Sequence, residues 1–164
     1  MSKFDMHEFE SILKPYLKHP KVLEMKKYSH HGITRYDHSY RVALYTYKVT
    51  KKCHFNYKSA TIAAFLHDFY LDEVNDESKH QKWINHPYIA SYNALKYFNI
   101  NELEKDIIEK HMFPITIRLP KYKESWVVDI VDDIMAISEK IRSMKWKLEP
   151  VINLSLIFLF TIIH

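Results

Sequence analysis

The stretch KSATIAAFLHDF, residues 58–69, decides how the rest of the chain is read. It is almost wholly apolar up to Leu66, and Asn56 just before it can cap a helix. A run of this kind reads as a central helix buried on nearly every side. It ends in His67 and Asp68. Placing an ionised aspartate in such surroundings is costly unless something compensates it. A metal ion is one such partner, and a salt bridge is the other.

Helical spacing continues outward from this segment. Val42, Tyr45 and Val49 recur on one face, which predicts a helix from Asp37, as its N-cap, to Lys52. Further back, Asp5 can cap a first helix with Phe9, Ile12 and Leu13 on one side, before Pro15 disturbs it. Pro20 suits the first turn of a short helix ending at Lys27. Beyond the central helix, Leu71 to Asn85 is polar and irregular and reads as a loop, and Pro87 restarts a helix to Phe98. Asn101 and Glu104 make an N-x-x-E capping pattern for a helix over 102–112. Pro114 and Pro120 bracket a short extended piece. A helix from Tyr122 presents Trp126, Ile130, Ile134, Ile137 and Ile141 as its core stripe. The expectation is an all-α protein with residues 1–164 in a single domain.

The 164 residues include one glycine, Gly32. A dinucleotide-binding GxGxxG needs three glycines and a P-loop two, so neither way of cradling phosphate is open. Tight hairpins also favour glycine, which argues against a meander of short strands. Any chemistry must therefore come from side chains displayed on helices. With 24 Lys and Arg against 20 Asp and Glu, the formal charge is +4. That mild excess can attract a phosphorylated substrate, but the basic residues are dispersed, so no nucleic-acid partner is expected. The single Cys53 excludes a cysteine-cluster zinc site and favours a reducing compartment. The opening MSKFDMHEFE has no signal-peptide core, and a cytoplasmic setting is expected. The apolar segment VINLSLIFLFTII, residues 151–163, is too short to span a bilayer as a helix. It reads as a final helix packed on the core or against a second copy of the chain.

Four histidines and two aspartates stand out by position: His38, His67 with Asp68, His86, His111 and Asp132. Successive positions are 18 to 29 residues apart, so each comes from a different helix. A helical bundle can bring such side chains to one interior point and build a metal site. Imidazole nitrogen with carboxylate oxygen suits Fe, Mn, Co, Ni or Zn. The His-Asp dipeptide alone decides little, because eleven histidines and nine aspartates predict about 0.6 such pairs by chance.

The order H…HD…H…H…D resembles the HD-domain superfamily of metal-dependent phosphohydrolases, in particular small bacterial hydrolases that consist of little beyond that domain. The matching pieces are YDHSYRVA at 36–43, AAFLHDF at 63–69, NHPYIA at 85–90, EKHM at 109–112 and YKESWVVDIVDD at 122–133. The resemblance implies an HD-domain helical bundle over about 30–140, with a metal site at its centre. Helices over 5–27 and the segment 151–163 would then pack on that core. It further implies that His38, His67, Asp68 and Asp132 hold one divalent transition metal. His86 and His111 match the two histidines that hold a second ion in some members, with Asp68 shared between the two. Asp132 is favoured by the -VD- of IVDD, with Asp133 the rival and Asp129 a helix-surface acid.

Such ions activate water near neutral pH and neutralise phosphate charge, which fits hydrolysis of a phosphoester or phosphoanhydride of a small nucleotide, with His67 and Asp68 at the catalytic centre. Candidate substrate contacts are Arg41, Arg35, His31, Lys82 and Arg118. The alternative is a non-catalytic module that binds metal and nucleotide and acts through a protein partner.

Overall fold

A computed structural model describes the backbone of residues 3–30, 33–71 and 79–163, and the side chains of 5–28, 33–71, 81 and 84–144. Seven α-helices lie among the described residues: α1 (Lys3–Leu17), α2 (Pro20–Glu24), α3 (Arg35–Lys52), α4 (Tyr57–Leu66), α5 (Lys79–Tyr97), α6 (Glu102–Lys110) and α7 (Lys123–Ile163). A two-residue antiparallel pair, Ser29–His30 with Ile33–Thr34, precedes α3 and is the only β-structure described. The protein is all-α, as expected.

The helix α4 occupies the middle of the bundle, packed against α1, α3, α5, α6 and α7. Asn56 caps it, accepting from the Ser59 N–H at 3.3 Å. Seven of its ten residues are buried, among them Ala60, Ala63, Ala64, Phe65 and Leu66. Its small alanine faces let neighbouring helices approach closely. Phe65 and Leu66, fully buried, each contribute about 1.5–3 kcal/mol by leaving water. The capping box expected for α6 is present in both directions: Asn101 accepts from Glu104 N at 3.0 Å, and Glu104 accepts from Asn101 N at 2.9 Å.

Several expectations need correction. On α7, Trp126, Ile130, Ile134, Ile137 and Ile141 face outward, with the isoleucines more than half exposed. The buried face carries Val128, Asp129, Val131, Met135 and Glu139 instead. On α3, Val42 is buried, but Tyr45 and Val49 lie on the exposed side, while Ala43, Thr46, Tyr47 and Thr50 turn inward. The cap of α3 is Thr34 rather than Asp37. Its hydroxyl accepts from the Asp37 N–H at 3.1 Å and donates to the Asp37 carboxylate at 2.6 Å. Pro15 sits inside α1 without ending it, and Pro87 sits inside α5, which begins at Lys79.

Helix α6 ends at Lys110 and residues 111–116 form turns, so the piece between Pro114 and Pro120 begins in a turn, and the Phe113–Pro114 peptide is cis. The segment 151–163 continues α7 instead of forming a separate helix, and its side chains lie outside the described residues. Among the described residues no helix is long and apolar enough to cross a membrane.

Candidate metal centre

Each expected donor sits at a defined place on its helix. His38 lies in the first turns of α3 on the buried face. His67 is the C-cap residue of α4, and Asp68 follows it in the turn. His86 is on α5, His111 is the C-cap residue of α6, and Asp132 lies on α7. Because α4 is central, its C-terminal end is where the other four helices converge.

The two C-cap histidines are held by the same device. A helix C-terminus leaves its last carbonyls without intrahelical partners. His67 Nδ1 donates to Ala64 O at 2.7 Å, and His111 Nδ1 donates to Ile108 O at 2.8 Å. Each bond satisfies an orphan carbonyl and fixes the tautomer, so that each Nε2 presents its lone pair to the interior.

The six side chains meet there. His38 Nε2 lies 2.8 Å from Asp132 Oδ1, and His67 Nε2 is 3.5 Å from the same oxygen. Asp68 Oδ2 is 3.8 Å from His67 Nε2, and its Oδ1 is 3.3 Å from His86 Nε2. His86 Nε2 and His111 Nε2 are 3.0 Å apart. Three overlapping groups each have their donor atoms within 4.8 Å of one another: His38, His67 and Asp68; His67, His111 and Asp132; Asp68, His86 and His111.

These residues fit divalent ions. Ligands about 2.0–2.2 Å from a shared ion stand roughly 3–4 Å apart, as these atoms do. His67 Nε2 is wholly buried and has no hydrogen-bond partner among the described residues. An orphan of that kind costs about 1–3 kcal/mol, and a cation would relieve it.

The electrostatics follow from crowding charges in a dry site. Burial disfavours the charged form of Asp68, yet His67, His86 and His111 hold its carboxyl well below the usual range. Asp132 is likewise pushed well down by His67 and His38 against the effect of burial. For His38, burial acts downward, but hydrogen bonds to Asp132 and Glu139 outweigh it and raise the imidazole to about 10. His111 goes the other way, down to about 3, through burial and the neighbouring His67 and His86. One donor set thus combines a proton-rich and a proton-poor end.

Among the three acids of α7, Asp132 is the one that faces the histidines. Asp129 is not a surface acid: it is 5% exposed and accepts from the Phe113 N–H at 3.1 Å. Asp133 is exposed and lies on the wall of a cavity of about 220 Å³ that opens onto the donors. Met112, Phe113, Pro114 and Ile115 form the apolar side of that cavity, and Tyr70 closes another wall.

Of the expected substrate contacts, Arg35 is buried behind Tyr70. Its guanidinium is 3.5 Å from the Tyr70 ring centre and donates to Tyr70 O at 2.6 Å. Tyr70 in turn stacks on His86, with ring centres 5.0 Å apart. Arg41 contacts Glu139 at 2.8 Å. Arg118 is exposed, 4.9 Å over the Tyr88 ring. His31 and the side chain of Lys82 lie outside the described residues. Sequence reasoning missed Glu139, which is 2% exposed with Oε2 2.8 Å from His38 Nδ1. Its spacing of two helical turns from Asp132 was the available signal.

The fold and the site together define an all-α bundle whose clustered histidines and aspartates, at the end of the central helix, could hold a metal. The HD domain family model matches residues 35–137, well over half of the chain, and the chain belongs to that family. The family is generally one of metal-dependent phosphohydrolases. No curated protein and no solved structure matches the chain.

Proposed function

We propose that the chain is a phosphohydrolase that uses a two-ion centre to cleave a phosphoester or phosphoanhydride of a small nucleotide. The observation that carries this reading is the position of Asp68. It is buried between His67 and His86 and belongs to a donor group on either side. On this reading His38, His67, Asp68 and Asp132 hold one ion, and Asp68, His86 and His111 hold the other. The bound ions supply water activation near neutral pH and charge neutralisation at phosphate oxygens.

The chain's own side chains supply the rest. His67 and His111 keep their Nε2 lone pairs inward through the Ala64 and Ile108 carbonyls. Met112, Phe113 and Pro114 give the cavity an apolar wall beside the donors. Phe113 offers aromatic surface on which a nucleobase can stack. The polar wall is made of histidines and aspartates, which leaves phosphate charge to be met by the ions.

The test begins with elemental analysis of protein purified without a metal-affinity tag. About one to two equivalents of Fe, Mn, Co, Ni or Zn are expected. Hydrolysis products, whether phosphate, pyrophosphate or a shortened nucleotide, are then measured over nucleoside monophosphates, dinucleoside polyphosphates and cyclic or alarmone nucleotides, beside an Asp68→Ala variant. Metal and activity should be lost together. Metal retention without hydrolysis of any nucleotide would favour the binding-module alternative, and equal activity in both proteins would place the site elsewhere.

A further inference from the structure

We propose that Arg41 and Glu139 form a positioning arm that aims His38 at the metal centre, which makes Glu139 a positioning residue of that centre. The inference rests on the metal-centre reading above. Glu139 follows Asp132 by seven residues on α7, so both carboxylates lie on one face, two turns apart. They hold the His38 ring between them, with Nδ1 2.8 Å from Glu139 Oε2 and Nε2 2.8 Å from Asp132 Oδ1. The second oxygen of Glu139, Oε1, accepts from Arg41 Nη1 at 2.8 Å. Arg41 in turn lies one turn after His38 on α3. The ring is therefore clamped by two helices through three side chains.

A buried ion pair is a poor way to gain stability, because an apolar side chain of similar volume often does as well or better. What an apolar side chain cannot do is accept the Nδ1 proton and so fix the tautomer. His38 also lacks the support that His67 and His111 have. Those two sit at helix ends, where free carbonyls accept from Nδ1. His38 lies inside α3, where the carbonyls already serve the helix ladder. An acceptor for its Nδ1 must come from another element, and Glu139 supplies it, with Arg41 holding the carboxylate in place. A carboxylate behind an imidazole also makes the imidazole a better ligand than a carbonyl does.

The test compares wild type with Glu139→Gln, Glu139→Ala and Arg41→Met. Zn(II) affinity is measured by competition with a chromophoric chelator. Long-range nitrogen–proton spectra of the Zn-loaded proteins read the His38 tautomer. Glu139→Ala should lose affinity by about 10- to 100-fold and lose the Nδ1–H signature of His38. Glu139→Gln keeps an acceptor oxygen and should recover part of both, and it serves if the alanine variant does not fold. Arg41→Met should lose affinity in the same direction by less. If wild type binds Zn(II) and all three variants bind equally with His38 signals unchanged, the positioning arm is wrong and the centre stands. If wild type binds no metal, both fail.

Discussion

His111 Nε2 faces His86 Nε2 at 3.0 Å, while His111 Nδ1 is already committed to Ile108 O. One lone pair therefore points at the neighbouring ring in a buried space shared with Asp68. A cation bound beside that carboxylate satisfies both nitrogens at once. His86→Ala and His111→Ala are each expected to lower metal content by about one equivalent while leaving the other ion partly bound. Elemental analysis decides this, and unchanged content in both variants would sink the two-ion assignment.

Two histidines of the metal-free protein should shape its stability on opposite sides of pH 6.5. His38 is raised from 6.5 to about 10, because Asp132 and Glu139 outweigh its burial. Its contribution is full below 6.5 and is lost as pH rises through 10. His111 is depressed to about 3, mainly by burial, so its contribution is full above 6.5 and is lost as pH falls toward 3. Thermal midpoints of chelator-treated protein across pH 4–10 report both, and a His38→Asn variant should flatten the alkaline side. A midpoint that keeps rising to pH 10 would contradict the His38 environment.

Asp129 gives a prediction of its own. Burial, then the charge of Asp133, raises its carboxyl to about 7. A carboxyl raised in this way favours the folded state at low pH and loses that contribution as pH rises through 7. Asp129→Asn keeps an acceptor for the Phe113 N–H without the charge. Its thermal midpoint relative to wild type, in chelator, should increase from pH 4 to pH 7 and level off above. A constant difference across that range would show that the carboxyl does not titrate there.

The outward stripe of α7 predicts a contrast between adjacent residues. Ile134 is 54% exposed and Met135 is 8% exposed. Ile134→Ser should change stability by less than about 1 kcal/mol, since it removes little buried surface. Met135→Ala should cost about 2–5 kcal/mol by opening a cavity. Urea unfolding of the two variants is the measurement, and a reversed order would return the isoleucines to the core.

The local signals proved dependable where one segment carries them whole. Asn56 before an alanine-rich run and Asn101 three residues before Glu104 mark the starts of α4 and α6, and both caps form. On α7 two stripes run at helical spacing, and the more apolar one faces outward. Periodicity gives the angle between side chains but not which side meets the protein. Here the less apolar face turns inward, burying Val128, Val131 and Met135 together with Glu139, and Asp132 and Glu139 meet His38 there. Arg35 reads as a helix-entry cation, yet the Tyr28 and Tyr70 rings bury it. In sequence, a buried charge is indistinguishable from a surface one until its partners are known.

Residue types, caps and the order of the histidines and aspartates were enough to establish helices, the placement of α4 at the centre and the HD domain family. Those depend on short-range hydrogen bonding and on spacing along one chain. The facing of α7, the burial of Asp129 and the Glu139–His38–Asp132 bracket were decided only in three dimensions. His38 meets Asp132 and Glu139 across 94 and 101 residues of chain. No local propensity specifies such a contact. It forms because helices packed round α4 must pair their buried charges where they converge.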